Sequence, residues 1–336
     1  MDSKAVAEEK ISDPLEGRPV VSGFGGKLAE DNLKEQIGRW LGEQGYPLEF
    51  ATAATFKKSG FRVMQGFHVD EEANDLPREV DVVAEINLHY GDQDLIRIEH
   101  VVECKWSVEK PWVVFCSDGS IMPDACIAQT IGSKAARTAL WARAGDPELH
   151  KLGIFATPAL PGFGGRQAFT TGRDLFYEAM KSIVTIAHAR AKAYDGYAQT
   201  PVQHLHLASV VIPVVVVRGR LFTARYDDIV GRLILDECDS TRLHWRGSAK
   251  WRLHATVDVV TERALSRFVE TRKRESLVLG QFLCTWLGDL KEATLRGKVE
   301  SWEIIKGARG VRGRPPLLKE LAAWQESIAL ADKTNS

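Results

Sequence analysis

Apolar and polar positions alternate along three early stretches, at about 61–69, 79–90 and 95–106, and each predicts a strand, because a strand turns successive side chains to opposite faces. The last two are separated by Gly91-Asp92-Gln93-Asp94, a run of turn formers that predicts a hairpin. A helical period precedes them. From Leu28 to about Glu43, Leu33, Ile37, Trp40 and Leu41 make one apolar stripe. Gly45 breaks that helix, and Pro47 suits the first turn of a second one running from Tyr46 to Lys58. Further on, Trp112 to Phe115 reads as an addition at the sheet edge, and Pro123-Asp124 starts a helix through about Arg143. Leu152 to Thr157 reads as a short buried strand and Pro158 to Gly165 as a loop.

The second half predicts a long helix from Phe169 to Tyr194, then strands at about 205–218, 221–226, 232–237, 241–246 and 251–260. A helix from Thr261 to Leu290, with a break expected at Gly280, and a final helix from Leu317 to Ala331 complete the chain. Leu205 to Val217 is the longest nearly unbroken apolar run. It is too short to cross a membrane and rich in β-branched residues, so it predicts a buried strand, with Pro213 pointing to an edge position or a bulge. His204 and His206 fall on one face of that strand without a third ligand nearby in the pattern, which suits core or interface histidines better than a metal site.

Composition narrows the class. The first ten residues are polar and acidic, so no secretory signal is expected, and no membrane association. The five cysteines (Cys104, Cys116, Cys126, Cys238, Cys284) contain no C-x-x-C pair and fit reduced thiols in a cytoplasmic protein. A formal net charge of −1 conceals an asymmetry: residues 1–150 hold 26 acids against 16 bases, and residues 151–336 hold 19 acids against 28 bases. A neutral total therefore does not exclude a polyanionic partner. Gly23-Phe24-Gly25-Gly26 and Gly162-Phe163-Gly164-Gly165-Arg166 each precede a predicted helix. Neither continues as a phosphate-binding Walker loop, and they read either as anion cradles or as plain connections.

The chemistry concentrates on Glu103-Cys104-Lys105, at the end of the third strand. Strand alternation puts Glu103 and Lys105 on one face and Cys104 on the other. An acid and a lysine on a strand with apolar neighbours are costly unless something uses them. Asp81 lies 22 positions before Glu103, and their midpoint falls at Asp92, inside the predicted turn. The hairpin therefore brings Asp81 opposite Glu103. Two hard carboxylates beside an ammonium suit a magnesium site with a water-orienting base. The bland alternative is an ion-pair cluster on a solvated face, with Asp81 pairing to Arg78 or Lys105.

This arrangement resembles the PD-(D/E)XK, or restriction-endonuclease-like, nuclease superfamily over about residues 45–157. That pattern is a helix with an acid, a strand, an Asp on a second strand and (D/E)-x-K on a third. Asp81 takes the Asp position, with Val80 where the pattern has Pro, and Glu103-Cys104-Lys105 matches (D/E)-x-K in full. The helix acid is Glu49, with Glu43 and Glu35 as alternatives on the preceding helix. The resemblance implies an α/β fold with a mixed central sheet flanked by helices: a polar lead-in at 1–26, a core at 27–165, and a C-terminal α+β region at 166–336. That last region either extends the core or forms a second module. The implied activity is Mg2+-dependent hydrolysis of phosphodiester bonds in DNA, with Mn2+ able to substitute. Asp81, Glu103, the backbone carbonyl of Cys104 and Glu49 would hold the cation, and Lys105 would orient water.

Gln129, sharing a helix face with Ser133 and Arg137, would reach substrate. Arg62 and Arg78, together with the basic run Lys306, Arg309, Arg312 and Arg314, are the candidates for phosphate contacts. A homodimer or a larger defence or repair assembly is the expected setting. A non-catalytic nucleic-acid-binding or assembly protein on the same fold is the alternative, and the two acids speak against it because they repel phosphate.

Overall fold

The structure is a computed structural model and describes residues 25–71, 74–107, 109–117, 123–156, 158, 160–172, 174–246, 254–302 and 315–334. The basic run at 306–314 and the first half of the glycine cluster at 23–26 lie outside the described residues. In chain order the elements are α1 (Gly25–Glu43), α2 (Tyr46–Lys58), β1 (Arg62–Glu71), β2 (Asn74–His89), β3 (Leu95–Trp106), β4 (Trp112–Cys116), α3 (Pro123–Ala128), α4 (Lys134–Ala142), α5 (Pro147–His150) and β5 (Gly162–Gln167). They continue with α6 (Leu175–Gly196), β6 (Leu207–Arg218), β7 (Leu221–Asp227), β8 (Arg232–Cys238), β9 (Ser240–Arg246), β10 (His254–Thr261), α7 (Leu265–Leu295) and α8 (Pro316–Thr334). The described residues up to Gln44 form one compact unit and those from Gly45 onward another. In the first, Leu33, Ile37 and Trp40 of α1 are exposed.

The second unit is mixed α/β. Among the described residues, ten strands form one sheet in the order β1-β2-β3-β6-β10-β9-β5-β4-β7-β8. The strands of residues 166–336 therefore add to the sheet begun by β1, β2 and β3. The first three strands pair antiparallel, and β6 joins β3 in parallel. One apolar layer lies on the face that carries Ile96, Ile98 and Val102 of β3, with residues of α2, α4, α7 and α8. The other lies on the face that carries Val101, with α6 supplying Phe176, Met180 and Ile183. Among the described residues no helix is long and apolar enough to cross a membrane.

Several expectations need correction. Pro213 is not at an edge, because β6 lies between β3 and β10. The strand changes partners there. Up to Val211 its second side is held by the 131–133 segment (Val211 N–H to Ile131 O, 2.9 Å; Ser133 N–H to Ser209 O, 2.9 Å), and from Val214 onward by β10. Proline has no N–H to leave unpaired, so the changeover is where it is tolerated. The same crossing breaks the helix expected through Arg143 into α3 and α4, with Ser133 capping α4 by accepting from Ala136 N–H. Gln129 consequently shares no helix face with Ser133 and Arg137.

The segment expected as a strand at 152–157 is a series of turns where described, with Leu152, Ile154 and Phe155 buried. The expected loop contains β5 instead. Its glycines allow close packing: a Cβ at Gly165 would lie 2.6 Å from the Phe176 ring and 2.7 Å from Val113 O. β4 is interior, between β5 and β7, rather than an edge. His204 and His206 lie on a 3-10 turn before β6, where His206 Nδ1 is 2.6 Å from Asp94 Oδ1. α7 runs unbroken past Gly280.

Candidate active site

The β2–β3 hairpin turns at 91–94, where Tyr90 N–H donates to Asp94 O at 3.2 Å. Its register pairs Val83 with Val101 and Val82 with Val102, so the next step sets Asp81 opposite Glu103. Regular pairing stops at that point. Cys104 N–H instead donates to Asp81 Oδ2 at 2.6 Å, so a side chain replaces the ladder as the strands part. On the other side of Asp81 the β1 register brings Gly66, whose φ of +62° favours glycine over any side chain. Lys105 Nζ lies 2.5 Å from Glu103 Oε1. Lys105 and Glu103 sit at the carboxyl end of β3, level with Val217 and Val215 of the parallel strand β6.

Glu49 stands in the first turn of α2. Burial raises its pKa, the charges of Glu79 and Glu103 add to that, and Lys105 opposes them. Glu49 is therefore within electrostatic reach of Glu103 and Lys105. Cys104 turns to the α2 side, with Sγ 3.6 Å from Thr52 Oγ1, and burial pushes its thiol well up. That thiol is a poor nucleophile, which leaves the acids and the lysine as the reactive groups.

Electrostatics at the cluster are unbalanced. Burial and then the neighbouring Glu103 charge push Asp81 up to about 7, against the partial relief of the Cys104 N–H bond. Burial pulls Lys105 down, but Glu103 and Asp81 more than reverse it and hold the ammonium charged. Lys105 is thus the cation that acts on Asp81 and Glu49 among the described residues, and it pairs with Glu103. Among the described residues no three His, Cys, Asp or Glu side chains stand close enough to close a metal site alone. Two carboxylates match the donor number of magnesium, which keeps several waters and takes one or two carboxylates. The donor set therefore fits a hydrated hard cation.

The remaining sequence candidates are dispersed. Arg62 pairs across the strands with Glu85, Nη1 to Oε1 at 3.2 Å, four residues along β2 from Asp81. Arg78 lies on β2 opposite Val69, at the Asp81 end. Gln129 lines a small cavity with Cys126, Thr130, Pro213 and Thr256, a set that includes neither Asp81 nor Glu103 nor Lys105.

Glu79, two residues before Asp81 on β2, also belongs to the acidic neighbourhood of Glu49, and its place two residues from Asp81 is the signal for it in the sequence. Three exposed aromatics, Tyr46, Phe50 and Trp106, lie next in sequence or one turn from Glu49 and Lys105, and no period of the sequence marks them. Tyr46 and Phe50 stack at 6.4 Å on the turn that carries Glu49. Trp106 directly follows Lys105, and its Cβ is 3.7 Å from where a Cβ on Gly45 would stand.

No protein-family model, curated protein or solved structure matches this chain.

Proposed function

We propose that this protein is a divalent-cation-dependent nuclease of the PD-(D/E)XK type, hydrolysing phosphodiester bonds in DNA. The observation that carries this reading is the hairpin register that sets Asp81 opposite Glu103, with Lys105 two residues further on the same strand. The order α2, β1, β2, β3, with Glu49 on the helix, Asp81 on the second strand and Glu103-Cys104-Lys105 on the third, supports the restriction-endonuclease-like fold within the larger sheet. Exposed aromatics beside the acids suit contact with nucleic-acid bases, since stacking tolerates any base. Five free thiols suit a reducing compartment such as the cytoplasm.

In this mechanism Asp81 and Glu103, with the Cys104 carbonyl, would hold the cation, and Glu49, too far off to close a three-acid site, would complete its shell through water. When bound, magnesium or manganese polarises the scissile phosphate and lowers the pKa of a coordinated water. Cys104 N–H keeps Asp81 turned into the site. Lys105, held charged by its carboxylate neighbours, orients the attacking water and stabilises the charge that grows on the phosphate.

The test is cleavage of linear, circular, branched and single-stranded DNA, and of RNA, with Mg2+ or Mn2+, alongside cation binding by calorimetry. Lys105→Ala should lose cleavage by about 10³-fold while still binding the cation. Asp81→Asn should lose both. Full single-turnover cleavage by Lys105→Ala, or wild-type protein that neither binds the cation nor cuts, would refute the reading.

A further inference from the structure

β8 is the last strand of the sheet, and among the described residues no strand covers its outer edge. Soluble proteins blunt such edges with charges, prolines or bulges. β8 instead presents Leu233 and Leu235, 63 % and 58 % exposed, and the turn leading into it carries Ile229 at 97 %. The neighbouring charges are paired within the chain: Arg220 with Glu237 at 2.7 Å and Arg225 with Asp227 at 3.8 Å. Arg232 and Asp236 are exposed, and neither forms an ion pair among the described residues.

The segment Arg232-Leu233-Ile234-Leu235-Asp236 is complementary to itself. When two copies pair antiparallel about a two-fold axis perpendicular to the sheet, their faces stay aligned, and opposed residues must lie on the same side. Centred on Ile234, such a pair sets Arg232 of each copy opposite Asp236 of the other and Leu233 opposite Leu235. Centred on Leu233, it would oppose Arg232 to Ile234 and Val230 to Asp236. Centred on Leu235, it would oppose Ile234 to Asp236 and Leu233 to Glu237. Centring on Arg232 or Asp236 would set like charges against each other. Among these registers only the Ile234 centre joins opposite charges and apolar partners together.

We propose that the chain forms a homodimer by antiparallel pairing of its β8 strands about Ile234, joining two ten-stranded sheets into one continuous sheet. Two cross-strand ion pairs and a cluster of four leucines would then hold the interface, together with the new backbone ladder. The inference does not depend on the nuclease reading, because β8 shares no residue with the Asp81 cluster.

Sedimentation equilibrium and a pair of cysteine variants test it. Wild-type protein should dimerise as concentration rises. Asp236→Arg and Arg232→Asp should each weaken the dimer by about tenfold or more, since each sets like charges opposite one another. The double variant Arg232→Asp with Asp236→Arg restores the pairing in reverse and should recover the dimer. In a Cys238→Ser background, Ile234→Cys should oxidise to a covalent dimer, because residues paired across the axis have Cα atoms about 4.5–5.5 Å apart. Arg232→Cys should not, being separated from its own copy by about four residues of strand, roughly 13 Å. A monomer at all concentrations up to about 100 μM, no recovery in the double variant, or equal crosslinking of both cysteines would overturn the proposal.

Discussion

Asp258 and Asp81 are carboxylates on strands of one sheet, and the chain surrounds them differently. Asp258 on β10 is buried between two guanidinium groups. Arg242 reaches Oδ1 at 2.8–2.9 Å and Arg272 reaches Oδ2 at 2.9–3.1 Å. Burial alone would raise its pKa, but the two arginines overcome that and hold it low. Asp81 receives one backbone N–H and looks across at Glu103, and burial with that like charge pushes it up to about 7. Glu99, on the face of β3 that also carries Glu103, follows the Asp258 pattern, with Arg190 Nε at 2.8 Å and Tyr194 Oη at 2.5 Å. Where acids serve the fold, cations and hydroxyls complete them. At Asp81 the cation that acts among the described residues is Lys105, and burial with Glu103 outweighs it; perturbed acids at a strand end mark a candidate site. The proposed cation would supply the missing charge.

The largest effect that distinguishes the two regions is on stability. Arg272→Ala leaves Asp258 buried with one arginine and strips Glu275 of its partner at 2.5 Å. Breaking a buried pair from one side costs about 3–5 kcal/mol, which urea denaturation would read as a large drop in midpoint. Lys105→Ala also leaves a buried carboxylate, Glu103, without its partner, but Asp81, already pushed up to about 7, can take up a proton and relieve the repulsion, so the loss should be smaller, about 1–2 kcal/mol near pH 7. Equal destabilisation by the two substitutions would erase the distinction between structural and functional acids.

A smaller effect lies in the pH dependence, where the two aspartates should have opposite signs. Asp81 has a folded pKa of about 7 against an ordinary 3.8, so between those values the folded chain binds its proton more tightly than the unfolded one. Stability should therefore fall as pH rises from about 4 to about 7 and level off above. Asp81→Asn abolishes that slope and should gain on the order of 1–3 kcal/mol at pH 8, with no gain below about pH 4. Asp258, held low, contributes stability that is present above the ordinary carboxylate pKa and disappears only in acid. Thermal unfolding of the two Asn variants and of wild type from about pH 2 to about pH 8 reads both slopes, that of Asp258 below about pH 4 and that of Asp81 above it. A flat profile for Asp81→Asn minus wild type would remove the claim that Asp81 is electrostatically strained.

The Asp81 cluster was legible because its geometry is local. A turn at 91–94 and strict two-residue alternation suffice to oppose Asp81 and Glu103. The Asp258 cluster was not legible, because its arginines come from β9 and α7 and meet Asp258 only once the strand pairing and the helix packing are in place. The same holds for Pro213. Its placement depends on the 131–133 segment crossing to β6, a contact between residues some eighty positions apart that no local period records. β5 escaped notice for a different reason: Gly162-Phe163-Gly164-Gly165 has a loop's composition, and only the crowding by Phe176 and Val113 explains why a strand there needs glycine.

The smallest predicted effect concerns Glu49, and it tests how far the cation-poor region extends. Glu49 sits in the first turn of α2, where the helix dipole favours a negative charge, while burial and Glu79 disfavour it. If it completes the cation shell through water, Glu49→Gln should weaken cleavage by about tenfold at limiting magnesium, and raising magnesium should recover most of the loss, because a missing outer ligand lowers affinity more than chemistry. Glu79→Gln provides the control. It removes the largest charge acting against Glu49 and should change cleavage by no more than about twofold, because Glu79 is a neighbour of the site and not a ligand. A magnesium titration of both variants separates these outcomes. Unchanged magnesium dependence in Glu49→Gln would remove Glu49 from the cation shell and confine the site to Asp81 and Glu103.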